Sequence, residues 1–381
     1  MRYRRVISVM LAAVMLAACG ASPESGEASR EDLGEGRERL SLSEMKTTAA
    51  EESRRITESS YDNITVTPGL SFTVPDKLGQ YQVKPAKNFG ADTWEAFLQE
   101  FIPAGDYDPS KTAEYSEPYH TKVYSDTEKH YFFCLASPGI CNADYLDDRA
   151  FGKVFASDRN DSCVLHEPVK SVGNKPFKLE KGTLDLSEYA EKCRSFAERF
   201  IRVTGFPNGL EPGAVYVYDG GDGTYSCDLH LRNSIEGVPI FDVIPVSLAE
   251  EMSFTPAKTF GAHCACVYEG EVECFQLDQG FEICKTDAEY TELISPSHAL
   301  ELLSEKLSAY VNYELIDMEL CYMPVCLNPL GEDETPPEDY EAIYQLTPYW
   351  SFCFDLTPGN EKFGFVNCQT GEADMFVSRR D

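Results

Sequence analysis

Cysteine and histidine crowd together at His263-Cys264-Ala265-Cys266, with Cys274 a little further on. Thiolate sulfur and imidazole nitrogen are the donors zinc prefers. Residues 263–277 read as a hairpin turning at Glu269-Gly270, an arrangement that would bring Cys274 across from Cys264 and Cys266. His263, Cys264, Cys266 and Cys274 are therefore the candidate metal ligands. Their spacing matches no established zinc module, and a disulfide or plain buried thiols fit the same pattern. Cys321-x4-Cys326 offers fewer donors still. Asp219-Gly220-Gly221-Asp222-Gly223 has the carboxylates and glycines of a calcium loop, but a hairpin turn uses the same residues and the EF-hand spacing is missing. The six histidines are His120, His130, His166, His230, His263 and His298, and none lies in a known catalytic motif. No Gly-x-Ser-x-Gly, His-Glu-x-x-His, Ser-x-x-Lys or phosphate-binding loop occurs. No catalytic residue and no cofactor is assigned, and the expectation is a non-enzymatic protein.

The elements that would position these residues belong to an α+β chain. A helix is expected where Trp94, Phe97, Leu98 and Phe101 recur, with strands at about 70–75, 121–125 and 130–136. Residues 137–175 are rich in turn formers and give no clear element. Leu186, Tyr189, Ala190, Cys193, Phe196, Ala197, Phe200 and Ile201 mark a second helix with one apolar face. It is followed by Tyr225–Asn233, in which Ser226, Asp228, His230 and Arg232 alternate with apolar residues and are expected to face water. Ser295-Pro296 opens a third helix, with Leu300, Leu303 and Leu307 on one face. Alternating strands follow at 316–322 and 344–356, and a hairpin of 362–366 with 373–377 closes the chain. In that last turn Asn367 would bond its own main chain and Gly371 would take the left-handed conformation. Helix and then antiparallel strands, twice over, predict two tandem units, each with one helix packed on an antiparallel sheet. The similar endings Tyr268-Glu-Gly-Glu-Val-Glu-Cys-Phe275 and Gln369-Thr-Gly-Glu-Ala-Asp-Met-Phe376 suggest the repeat.

The expected organisation is 1–18 signal peptide, 19–60 disordered acidic tether, 61–175 N-terminal α+β domain, 176–290 first unit and 291–381 second unit. In the leader, Arg2, Arg4 and Arg5 precede an apolar run from Val6 to Ala18 that is too short to span a bilayer. Leu16-Ala17-Ala18-Cys19 resembles the lipobox of bacterial lipoproteins. That resemblance implies lipid attachment at Cys19 and an extracytoplasmic chain held to the cell membrane, each buried methylene contributing about 0.8 kcal/mol. From Cys19 to Ser60 there is no aromatic residue, which is why this stretch reads as a tether, with Glu44 to Glu58 able to be transiently helical.

The 33 basic residues, less the three leader arginines, stand against 64 acidic ones and leave a formal charge of −34. Such a surface repels nucleic acid and favours basic partners. Of fourteen cysteines, setting Cys19 aside leaves thirteen, which cannot all pair. A few disulfides among several buried thiols are expected.

The third helix, the strand that follows it, Pro348-Tyr-Trp-Ser-Phe352 and the hairpin closing on Thr370-Gly371-Glu372 together resemble the PepSY-like domains and the related YycH/YycI family of membrane-tethered regulators. The resemblance covers about 290–381, and 176–290 more loosely. It departs from the family pattern at Asn367, where aspartate is usual. It implies PepSY-like units that bind or restrain a protein, a sensor kinase in one family and secreted peptidases in part of the other. It carries over no catalytic residues. The expected function is a cell-surface lipoprotein that modulates a membrane or secreted partner. An inhibitor or chaperone of an exported peptidase, an envelope protein binding a small ligand or cation, and an enzyme are the alternatives.

Overall fold

In a computed structural model of the chain, the described residues are 38–87, 89, 93–103, 105–116, 121–129, 131–136, 142–147, 163–168, 177–179, 182–184, 186–219, 225–241, 261–267, 272–277, 280–308, 310–329, 340–357 and 361–377. For 142–147, 164, 167, 168, 177–179, 182–184 and 261–267 only the main chain is described. The leader, Cys19, the first eighteen residues of the expected tether, the turn at 269–270, the glycines of 220–223 and the acidic stretch 331–339 lie outside them.

The first described elements fall inside the expected tether. β1 (Arg39–Ser41) leads into α1 (Leu42–Glu58) through a complete capping box. Glu44 N–H donates to Ser41 Oγ at 3.2 Å, and Ser41 N–H donates to Glu44 Oε2 at 3.0 Å. Met45, Glu52 and Ile56 then recur on one buried face. This corrects the 19–60 boundary: the transient helix expected over Glu44 to Glu58 is a packed one, whose apolar stripe is short and interrupted by a glutamate. β2 (Ile64–Val66) and β3 (Gly79–Pro85) follow, while 70–75 is irregular rather than a strand.

Next come α2 (Thr93–Phe101), β4 (Thr112–Tyr115), β5 (Thr121–Asp126), β6 (Tyr131–Ala136) and β7 (Asn142–Asp147). After β8 (Cys163–Pro168) and the small hairpin of β9 (Phe177–Leu179) with β10 (Gly182–Leu184), the helix-and-strands order recurs. α3 (Leu186–Thr204) precedes β11 (Gly209–Asp219), β12 (Tyr225–Ile235), the two-residue β13 (Val238–Pro239), β14 (Gly261–Val267) and β15 (Val272–Leu277). β16 (Phe281–Glu289) and β17 (Glu292–Ile294) lead to α4 (Pro296–Lys306) and β18 (Tyr313–Leu315). β19 (Asp317–Cys326), β20 (Tyr344–Asp355), β21 (Lys362–Asn367) and β22 (Ala373–Val377) complete the chain.

The strands form a ten-stranded sheet, ordered β4-β5-β6-β7-β15-β14-β12-β11-β8 with β13 beside β12. A six-stranded sheet is ordered β16-β3-β20-β21-β22 with β19 also on β20. Three stretches thus share one plan, a helix followed by four antiparallel strands: α2 with β4 to β7, α3 with β11, β12, β14 and β15, and α4 with β19 to β22. The first two join through their fourth strands, β7 against β15. Their helices pack side by side over that joint, with Phe97 against Phe200 at 5.8 Å and Phe101 against Phe196 at 4.7 Å between ring centres. The sequence showed two of these copies; the third lies in what was expected to be a separate N-terminal domain.

The expected boundaries at 175/176 and 290/291 do not follow the sheets. β3 and β16 belong to the six-stranded sheet, whereas β4 to β7 belong to the ten-stranded one, and 37–381 is one compact unit. β12 ties the layers together, because Leu229 and Leu231 sit in the core under α2 and α3 while Ile235, Val238 and Ile240 sit in the core under α1 and α4. On the six-stranded sheet Ser295 caps α4, and Asn63 Nδ2 donates to Ser304 O and Leu307 O at its far end. Glu52 of α1 accepts from Ser297 Oγ at 2.6 Å, which places a buried carboxylate at the positive end of α4. Among the described residues, no helix is long and apolar enough to cross a membrane.

Candidate functional site

β12 alternates as the sequence suggests, but its polar face is not wet. Ser226, Asp228 and Arg232 are buried, Arg232 being 9% exposed. One face of β11 and β12 lies on α3, and the other meets β19, β20 and β21 of the six-stranded sheet. The alternating pattern records only that one face is polar; what it faces is set by a second sheet far away in sequence.

Across this junction Arg232 meets Glu319 in a bidentate pair. Nη1 donates to Oε1, and Nη2 donates to Oε2 at 2.9 Å. The planar guanidinium matches the carboxylate fork, and the two charges neutralise one another away from water. Gly213 makes room for it: the β11 register slips between Pro212 and Ala214, and a Cβ on Gly213 would lie 2.8 Å from Arg232 Nε. The register puts Tyr216 opposite Asp228 on one side and His166 on the other. His166 Nε2 stands 3.2 Å from Thr357 Oγ1. Thr357 donates its hydroxyl to Asp355 Oδ1 at 2.6 Å, and Lys362 Nζ donates to Asp355 Oδ2 at 3.1 Å. Apolar packing closes the rest, with Phe241 against Phe363 and Phe365 at 5.3 and 4.6 Å.

The cavity left at this junction is about 50 Å³ and is lined by Tyr216, His230, Arg232, Asp317, Glu319 and Cys353 among others. A histidine and several carboxylates do converge there, but the space suits a water or two rather than a substrate. Burial, reinforced by Glu361, pushes the Tyr216 phenol far above its ordinary range. Burial, reinforced by Asp317 and Glu319, pushes the Cys353 thiol well up too. Both groups stay protonated at neutral pH, and a protonated, enclosed thiol is a poor nucleophile. The arrangement joins two sheets by a neutralised ion pair. Sequence reasoning placed Arg232 on a wet face and missed Glu319, Tyr216 and Gly213; the available signal was an arginine and an aspartate on the polar face of a strand whose other face is apolar.

The four candidate metal ligands are not brought together by the register. β14 and β15 do pair, but Cys264 lies opposite Phe275 and Cys274 opposite Ala265, so Cys264 and Cys274 have opposite parity on their strands. His263 lies opposite His230 on β12. The side chains of His263, Cys264 and Cys266 are outside the described residues, and Cys274 is buried. Among the described residues no group of three or more His, Cys, Asp or Glu is placed to hold a metal ion. His298 sits on the first turn of α4, 3.2 Å from Glu301, while His120 and His130 lie outside the described residues. The ten described cysteines carry no disulfide; Cys284 is exposed, and Cys193, Cys227, Cys321, Cys353 and Cys368 are packed in the cores.

A second concavity is open and larger. It measures about 470 Å³ and runs along α3, with Phe101, Phe196 and Val272 as its floor and Glu188, Glu191, Lys192 and Arg199 at its rim. Arg199 lies over the Phe101 ring at 5.1 Å and bonds Glu100 Oε1 at 2.9 Å.

Fold and junction together define an α+β protein of three helix-and-strand repeats in two sheet layers. The chain is similar in structure to an uncharacterized protein from Eubacterium rectale ATCC 33656, with a TM-score of 0.55 and 12% identity over 85% of this chain and 98% of that one. The likeness is one of fold. No protein-family model matches the chain, and no curated protein matches it.

Proposed function

We propose that this chain is a non-enzymatic, extracytoplasmic lipoprotein, held to the membrane through Cys19, that binds and modulates a membrane or secreted protein. The observation that carries this reading is the contrast between the two concavities. The polar junction that gathers a histidine and carboxylates has room for little more than water. The roomier groove lies open along α3, apolar at its floor and charged at its rim, as protein-contact surfaces are. The resemblance of 290–381, and more loosely of 176–290, to PepSY-like and YycH/YycI-like domains would agree with such a role. The acidic surface favours a partner with a basic contact region.

The test is a photo-crosslinking residue placed at Lys192, on the groove rim, in living cells, with Asp287 on exposed β16 as the comparison site. A discrete adduct with a different protein from position 192 and not from 287 is expected. Equal labelling from both sites, or none from 192, overturns the groove as the binding surface. A second reading, an enzyme, rests on His230 and Glu319 lining the junction; it requires loss of turnover in His230→Ala at unchanged stability.

A further inference from the structure

Two edges of the six-stranded sheet, β16 and β22, are unlike. β16 carries Glu282, Lys285, Asp287 and Glu289, and its register with β3 breaks between Ile283 and Lys285 and again between Thr286 and Glu289. Charges and bulges are how sheets keep an edge from accepting a further strand. β22, Ala373-Asp-Met-Phe-Val377, lacks the bulges and has few charges. It runs against β21 without a register break, contains one charge and no proline, and among the described residues pairs with β21 alone.

The main-chain groups that β22 presents outward follow from its turn. Asn367 N–H donates to Glu372 O at 2.9 Å, so 367 and 372 are a hydrogen-bonded pair. Antiparallel ladders alternate hydrogen-bonded and non-bonded pairs. Asp374 and Phe376 therefore direct their main-chain groups towards β21, and Ala373, Met375 and Val377 direct theirs outward.

The chain itself shows what such an edge accepts. β22 is the fourth strand of its repeat, and the fourth strands of the other two repeats, β7 and β15, pair with each other antiparallel, Leu146 opposite Cys274 and Ala143 opposite Leu277. We propose that β22 is a self-association edge, at which two copies of this chain pair their β22 strands antiparallel about a two-fold axis and join their six-stranded sheets into one. An isologous contact of this kind closes on itself. The axis passes through Met375. That register sets Met375 opposite Met375 and Ala373 opposite Val377, and it uses all the outward groups, about six hydrogen bonds. A register centred on Asp374 would oppose two carboxylates and make fewer bonds.

The full chain purified in mild detergent and examined by sedimentation is expected to show a concentration-dependent dimer. Its dimer fraction should rise with salt, because each copy carries a formal charge of −31. Met375→Pro removes only an outward N–H, which an edge strand tolerates, so the variant should be monomeric with an unchanged circular dichroism spectrum. Met375→Cys in a Cys284→Ser background should form a disulfide-linked dimer under mild oxidation, and Val377→Cys in the same background should not; this readout decides the matter if the proline variant fails to fold. A monomer at every concentration, a different protein on β22 in place of a second copy, or a dimer undiminished by Met375→Pro with no Met375→Cys crosslink overturns the proposal.

Discussion

At the scale of single residues, the junction between the sheets turns on a charge pair and the space left for it. Glu319→Gln takes the carboxylate partner from a buried guanidinium, and a stability loss of about 3–5 kcal/mol is expected by chemical denaturation. Replacing both members with apolar residues of similar size, Arg232→Met with Glu319→Leu, should recover most of that loss, which separates a buried-charge penalty from a packing defect. Gly213→Ala should act on the same pair from the main chain at a smaller cost, about 1–3 kcal/mol. A second residue-scale test concerns pH. Asp126 is enclosed and accepts from Lys111 Nζ at 2.7 Å. That bond, with main-chain donors from Lys129 and Glu128, outweighs burial and holds its carboxyl below the usual range. A carboxylate depressed in the folded state stabilises above its unfolded pKa, about 3.9, and the contribution fades as pH falls through the folded value. Lys111→Met should therefore lower the Tm at pH 7, and its difference from the parent should shrink below about pH 4. A difference independent of pH would contradict this assignment.

At the scale of elements, what was legible in the sequence was local. Ser295 caps α4, Asn367 accepts from the N–H groups of Gln369 and Thr370 at 2.8 and 3.1 Å, and Gly371 has φ +79°, each as the residue type demands. The even positions of β20 from Leu346 to Phe354 are buried too, but so are Tyr349, Ser351 and Cys353, since that strand lies between helices and a second sheet. Non-local features were not legible. β7 pairs with β15, more than a hundred residues away, so its short segment among turn formers gave no sign of completing a repeat. α1 was legible only as a transient helix because a buried Glu52 interrupts its stripe, and that glutamate makes sense only beside Ser297 of α4. Ile56→Ala is accordingly expected to cost about 2–5 kcal/mol in unfolding free energy; a cost near zero would return 42–58 to the tether.

At the scale of the whole molecule, ordering of β1 and α1 shortens the stretch between Cys19 and the fold. Only the seventeen residues 20–36 lie between Cys19 and the compact unit beginning at Arg37. The proposed role depends on placement outside the cytoplasm and on a lipid. Cys284 offers a direct probe, since it is exposed while many of the other described thiols are buried. Intact cells should be treated with a membrane-impermeant maleimide and the labelled chain followed through fractionation, beside a Cys19→Ala variant. The account predicts labelling at Cys284 before lysis, with the parent chain in the membrane fraction and the variant released from it. Labelling only after lysis, or a Cys19→Ala chain that stays with the membrane, would contradict it.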